Sequence, residues 1–491
     1  MTTVPDIRLR PGNGKGLNPG GDFVLYWMTA FRRLSWNFAL QQAADLARGL
    51  GKPLVILEAL HLDYPYASHR LHRFSLEGML ERARALEGTS VLHFPFVERE
   101  RGQAKGLLLS MGKRACIVVA DDFPSAFLTG QVQAAGSALD VRLELVDSNG
   151  LLPMRVPEKV FSAAYHFRRF LQKTLLDHLP EMPDPDPLGR PLPPLPSPAG
   201  QLLPQEILRR WTRATQDVLS GAPETLRALS LDASVPPVPL TGTTAAARAA
   251  LHAFLSKGLS RYADDRNHPD LAATSGLSPF FHFGVLSVQE TFSEVIAAEG
   301  WTPLRMSERT DGSRAGWWGM GPGAEAFLDQ LVTWRELGFN MSSRREDHVQ
   351  YESLPDWART TLEVHEGDPR PATYSLEAFR EARTHDPLWN AAQTQLLREG
   401  VIHNYLRMLW GKKILEWSPT ARVAMEIMVD LNDRLALDGR DPNSYSGIFW
   451  CLGRYDRGWP ERPVFGKVRS MSSDATKRKV KLNKYMDQFG S

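Results

Sequence analysis

The chain has 491 residues, enough for two large domains or about three of ordinary size. Its 43% hydrophobic and 23% charged composition is that of a soluble globular protein and excludes a disordered or fibrous chain. Two cysteines, Cys116 and Cys451, exclude a disulfide framework and a cysteine-only metal site, and no apolar run reaches membrane-spanning length. The start lacks the apolar core of a signal peptide, so a cytoplasmic, prokaryotic-type protein is expected. The formal net charge is +2, and ten of the 13 tryptophans fall after residue 300.

In chain order, PGNGKGLNPGG (11–21) reads as a flexible entry loop, since it lacks P-loop and dinucleotide spacings and precedes its strand. FVLYWM (23–28), PLVILEAL (53–60), VLHFPF (91–96), ACIVVADD (115–122) and VRLELVD (141–147) read as strands. NFALQQAADLARGLG (37–51) and SLEGMLERARALEG (75–88) read as helices between them. This near alternation predicts a doubly wound parallel α/β sheet over residues 1–179. Ten prolines between Pro180 and Pro204 predict an extended linker, because proline fixes φ and lacks a donor. Beyond it, 205–491 is predicted to be mainly α-helical. No HExxH, GxSxG or EF-hand motif occurs, and the histidines show no metal-ligand spacing, so no metal is expected.

Four later segments combine residues of chemical interest. Thr274, Ser275, Gly276 and Ser278 precede a helical pattern, as either a plain cap or an anion site. Gln330, Trp334 and Leu337 fall near one helical face, either core or an amide beside a stacking plane. Asp386 and Gly400 bracket a helix, and Trp389 on it can meet Trp410 and Trp417 if the next helix packs antiparallel. Such indoles serve either as core or as an electron-hopping path. Asn432, Asp438, Asp441 and Asn443 are polar, turn-prone and followed by Trp450. From Arg454 to Lys484, ten cations face three acids, either a solvated face or a polyanion-binding surface.

Together these segments resemble the photolyase/cryptochrome flavoproteins, most closely the class II cyclobutane pyrimidine dimer photolyases. The likeness rests on TSGLSPFFHFG, DPLWNAAQ, YLRMLWGKKILEW and LDGRDPNSYSGIFWCLGRYDRGWPERPVFGKVR, with VLYWM and NFAL near the start. It implies an α/β antenna domain, a linker and a helical FAD domain. It further implies light-driven repair of dimers in double-stranded DNA by a monomer carrying fully reduced FAD, with a deazaflavin or folate as a possible second chromophore.

Residue by residue, the resemblance assigns Tyr262, Thr274, Ser275, Leu277 and Ser278 to the FAD phosphates. Asn432, or alternatively Asn443, would face flavin N5, and Arg407 would pair with Asp438 beside the ring. Trp389, Trp410 and Trp417 would carry electrons to the flavin. Trp334 and Trp450 would flank the flipped lesion, while Arg454, Arg457, Lys467 and Arg469 would hold DNA. Gln330 departs from the family pattern, for dimer photolyases carry glutamate there and the (6-4) photolyase and animal cryptochrome branch carries glutamine. Altered lesion preference and a photosensor without repair are therefore the alternatives, although the sensor branch often carries a long C-terminal extension. The Trp301–Gly323 segment reads as an insertion relative to class II members, its Trp317-Trp318 pair either facing DNA or anchoring a loop.

Overall fold

A computed structural model describes residues 3–196 and 202–490. Its contacts form two compact units that interleave along the chain. The first comprises Met1–Glu158, Asp177–Ala249 and Leu277–Ser293; the second comprises Lys159–Leu176, Ala250–Gly276 and Glu294–Ser491.

The first unit is built on a six-stranded sheet. Its strands are β1 (Leu9–Pro11), β2 (Phe23–Trp27), β3 (Leu54–Leu60), β4 (Val91–Val97), β5 (Ala115–Asp121) and β6 (Leu143–Val146), in the order β1-β6-β5-β2-β3-β4. All five predicted strands are present and pair in parallel; the short β1, antiparallel to β6, is an addition to the expected set. Every residue of β2 is buried, as both covered faces of a doubly wound sheet require. Helix Phe38–Leu50 starts where the Asn37 side chain accepts from the amides of Ala39 and Leu40, and stops at Gly51 with φ +63. Beyond β2, Asp121 accepts hydrogen bonds from the Thr29, Ala30 and Phe31 amides and from the Tyr26 hydroxyl. That carboxylate pins the chain where it leaves the sheet.

The proline-rich stretch does not mark where the sheet unit ends. Leu202, Leu203, Ile207 and Trp211 are buried in the same apolar cluster as Phe23, Leu25, Val55 and Leu143. This burial draws residues 205–249 to the sheet unit, whereas helix Ala164–Thr174 packs in the helical one. Residues 197–201 of the expected linker lie outside the described residues.

His72, on helix His69–Ala85, is buried and pushed down to about 4 by loss of solvation. An unfolded histidine protonates near 6.5, so as pH falls the unfolded chain takes up the proton first. The stability this neutral ring supplies is intact above about pH 6.5 and disappears between there and about pH 4. We expect a loss of about 2–3 kcal/mol between pH 7 and pH 4.5 that His72→Phe removes, read as the difference between urea midpoints of the two proteins.

The second unit is helical among its described residues. Its central helical run is continuous but changes winding: an α-helix at Pro322–Leu328, a π-helical turn at Asp329–Trp334, then an α-helix at Arg335–Arg344. The hydrogen bonds of the middle turn run i→i+5, a wider winding than that of the α-helices on either side. Gln330 and Trp334 are half-buried, while Leu337 is fully buried.

Candidate functional site

Three indoles form a buried file. Helix Pro387–Glu399 carries Trp389, and helix Asn404–Trp417 carries Trp410 and Trp417. Trp389 is the middle member: its ring lies 6.5 Å from that of Trp410, stacked at 4°, and 6.1 Å from that of Trp417 at 67°. The Trp389 Nε1 donates to the Trp410 carbonyl at 3.0 Å, and the Trp410 Nε1 donates to Gln393 Oε1 at 2.9 Å. Both indole donors are thereby satisfied, as buried Trp requires, and both planes are held. The helix ends expected from Asp386 and Gly400 are present: Asp386 accepts from the Leu388 and Trp389 amides, and Gly400 turns out at φ +71.

The helix of Trp410 and the helices packed on it carry a set of charged and amide groups. Arg407 forms a two-pronged ion pair with Asp438, at 3.2 and 2.7 Å. Asn432 is buried and its amide donates to Asp433 and to Ser444; Asn443, near the start of helix Pro442–Cys451, is exposed. Lys412 is fully buried, its Nζ donating to the Cys451 carbonyl at 2.7 Å and lying 4.9 Å from the Trp450 ring centre. Burial pushes that ammonium down to about 8. Gly411, just before it, lets two helices touch, for a Cβ there would lie 2.5 Å from the Cys451 sulfur.

A third cluster opens as a cavity of about 880 Å³. Trp334, Tyr455, Trp459, Arg457, Arg469 and Arg168 are among its walls. Trp334 meets Tyr455 edge-on at 6.5 Å, and Tyr455 sits at φ +65, a backbone strain that helps aim its ring. Arg469 is ion-paired with Asp456 at 2.9 Å and lies over both Trp459 (4.1 Å) and Trp450 (5.6 Å). Arg168 is buried and paired with Asp329 at 2.7 Å, which ties it to the π-helical turn bearing Gln330 and Trp334.

The loop ahead of helix Ser278–His282 is not a side-chain cap. Leu277 occupies the cap position without a side-chain bond, and among the described residues the hydroxyls of Thr274, Ser275 and Ser278 make no hydrogen bond. Tyr262 is buried, edge-on to Phe254 and Phe327.

A protein named deoxyribodipyrimidine photo-lyase from Methanothermobacter thermautotrophicus is 33% identical over 98% of this chain and 98% of its own length. The chain belongs to the photo-lyase family. A photo-lyase of the same name from Oryza sativa subsp. japonica is 33% identical over 97% of this chain and 88% of its own. The class III photolyase of Agrobacterium tumefaciens superposes with a TM-score of 0.63 over 97% of this chain and 87% of its own. At 15% identity, that likeness speaks for the fold alone. A photolyase from Sulfolobus tokodaii, whose structure holds two FAD molecules, superposes at 0.62 over 95% of this chain and 88% of its own, at 13% identity. No protein-family model matches the chain.

One residue assigned to DNA in this photo-lyase family member needs correction. Arg454 is buried, donates to the His348 carbonyl and Ser353 hydroxyl, and lies 3.9 Å over Phe449. Its charge braces the interior and cannot reach a phosphate. Arg457 and Lys467 are exposed, and Arg469 is half-buried on the cavity wall. Sequence reasoning missed Arg168, Lys412 and Tyr455. Only Lys412 left a signal, a lysine following a glycine on a helix whose neighbours are indoles. Among the described residues, one grouping brings three metal-competent atoms together, at His61, Asp63 and Glu98. The Glu98 carboxylate there is already held by the Leu62 and Ala104 amides, a structural use.

Proposed function

We propose that this photo-lyase family member repairs cyclobutane pyrimidine dimers in double-stranded DNA under blue light, in the manner of class II photolyases. The observation that carries this reading is the cavity, where indole planes and arginines share one wall system large enough for a flipped dinucleotide. A dimer must leave the stack to be reached, at a cost of a few kcal/mol that is lower for damaged bases. Stacking on an aromatic plane returns about 1–3 kcal/mol per base. Trp334 would supply one such plane; Trp450, which the resemblance assigns to the other, is not on the cavity lining, where Trp459 is the second indole. Arg457, Lys467 and Arg469 would hold phosphates, making binding steeply salt-dependent.

FAD is the cofactor of this reading, and the residues suit it. Arg407 Nε is buried without a partner, and the unengaged hydroxyls of Thr274, Ser275 and Ser278 suit an anion. Those three residues, with Leu277 and Tyr262, would hold its phosphates; Arg407 and Asp438 would stand beside the ring, and Asn432, more deeply buried than Asn443, would face N5. When bound and fully reduced, FAD would supply the light-excited electron for opening the cyclobutane ring. Trp410, Trp389 and Trp417 would pass electrons inward when the cofactor has been oxidised. The protein binds, orients and excludes water around that chemistry.

The test is a defined dimer in duplex DNA, added to reduced, FAD-loaded protein under blue light, with restored pyrimidines counted. Light-dependent restoration is expected, and none despite bound FAD overturns the proposal. Gln330 supports a second reading, a changed lesion preference, because an amide can donate to and accept from a pyrimidine edge but cannot carry charge. Restoring the acid with Gln330→Glu is expected to raise dimer repair about fivefold, the worth of about 1 kcal/mol from a charge-assisted hydrogen bond. Equal repair yields for the two proteins would show the departure to be immaterial.

A further inference from the structure

The Trp301–Gly323 segment shares the cavity with the residues above. Its tryptophans are anchors: Trp317 and Trp318 are buried with rings 4.7 Å apart, and Trp301 Nε1 donates to the Trp318 carbonyl. Between these anchors the chain reaches the cavity, where Arg309, Asp311, Gly312, Ser313 and Arg314 form part of the lining.

The reach is rigidly seated. The Gly312 amide donates to Gln172 Oε1 at 2.7 Å, Gln172 Nε2 donates to the Ser313 carbonyl at 3.0 Å, and Arg168 Nη1 donates to the Gly312 carbonyl at 3.3 Å. Gly312 adopts φ +86 and faces the Tyr165 ring, which a Cβ would meet at 2.9 Å, so glycine is required there. A loop fixed in this way presents its side chains at defined positions.

What it presents to the cavity is two arginines against one acid, Asp311; the loop's other acid, Glu308, is not on the lining. Arg309 and Arg314 are exposed; Arg309 has Asp311 at 2.7 Å, and Arg314 makes no ion pair or hydrogen bond among the described residues. Arg168, buried behind them and lining the same cavity, keeps its Nη2 without a partner. A buried guanidinium nitrogen with an open hydrogen-bonding capacity is costly unless a ligand meets it. A phosphate oxygen is the ligand that matches a guanidinium geometrically and electrostatically.

We propose that the 307–314 loop is a second phosphate-gripping wall of the cavity. On this assignment Arg309 and Arg314 bind the sugar-phosphate backbone flanking the flipped dimer, and Arg168 Nη2 meets a phosphate oxygen at the cavity floor. This rests on the dimer-repair reading. The loop carries no base-reading function, so its contribution is electrostatic and independent of sequence.

The experiment measures affinity for dimer-containing and undamaged duplexes across a salt series, for the FAD-loaded protein and for Arg309→Gln/Arg314→Gln. Glutamine retains much of the packing stem, and both arginines are exposed, so folding is controlled by unchanged flavin absorbance and melting temperature. Each phosphate contact contributes about −0.9 to the slope of log K against log salt. The double variant should therefore lose about 1.8 of that slope, with affinity for both duplexes lowered at least about tenfold at low salt. A variant with the parental slope, while Arg457→Gln/Arg469→Gln loses its share, overturns the second wall and leaves dimer repair standing. Parental protein that binds neither duplex and restores no pyrimidines overturns both.

Discussion

Trp389→Phe is expected to abolish light-driven reduction of the bound flavin while chemically reduced protein still repairs dimers. Trp389 is the sole indole of the file in ring contact with both Trp410 and Trp417, and the two outer rings are joined through it. Phenylalanine retains an aromatic plane but is far harder to oxidise, and it removes the Nε1 bond to the Trp410 carbonyl. The fold should survive, because the smaller ring leaves a modest cavity at a cost of about 1–2 kcal/mol. Two measurements on one preparation decide the matter: flavin absorbance during illumination with an external reductant, and restored pyrimidines after dithionite reduction. Undiminished photoreduction would falsify the file as the electron route.

Arg168→Met should be the most destabilising of the single substitutions considered. It leaves the Asp329 carboxylate buried without its partner, and breaking one side of a buried pair costs about 3–5 kcal/mol. The pair also anchors the π-helical turn, so binding of dimer-containing DNA should weaken with it. Adding Asp329→Leu should recover most of the stability, because the buried charge is then gone, without recovering lesion affinity. Urea unfolding followed by far-ultraviolet circular dichroism reads the first effect, and equilibrium binding reads the second. If both single variants and the double unfold at the parental midpoint, the pair is energetically idle.

Much of this architecture is legible in the sequence because local rules and tertiary packing agree. The five buried strands read correctly, since runs such as FVLYW have no polar position to hide. Asn37 with Gly51, and Asp386 with Gly400, mark helix ends by side-chain chemistry that needs no tertiary partner. Other features depend on contacts between residues far apart in the chain. The π-helical turn at Asp329–Trp334 is invisible to a period of 3.6, and the fuller burial of Leu337 beside half-buried Gln330 and Trp334 is not legible from spacing. Charge counting placed Arg454 on a basic surface because composition carries no information about burial. The linker misled for a related reason: prolines report backbone stiffness, whereas the unit boundary follows where Leu202, Leu203 and Trp211 find apolar neighbours. Trp410 and Trp417 lie two turns apart on one helix, and the packing of the two helices is what sets the Trp389 ring against both.

The close approach at Gly411 has a mechanical meaning. The helix bearing Trp410 and the helix bearing Trp450 meet there with no room for a side chain, and the Lys412 ammonium bonds the Cys451 carbonyl across the same seam. A joint with neither slack nor a compressible filler transmits displacement whole, so the two helices behave as one strut. That strut fixes the spacing between Trp410, one member of the indole file, and the contact of Lys412 with Trp450. Gly411→Ala would act like a shim driven into that joint, shifting Trp410 and Trp450 together.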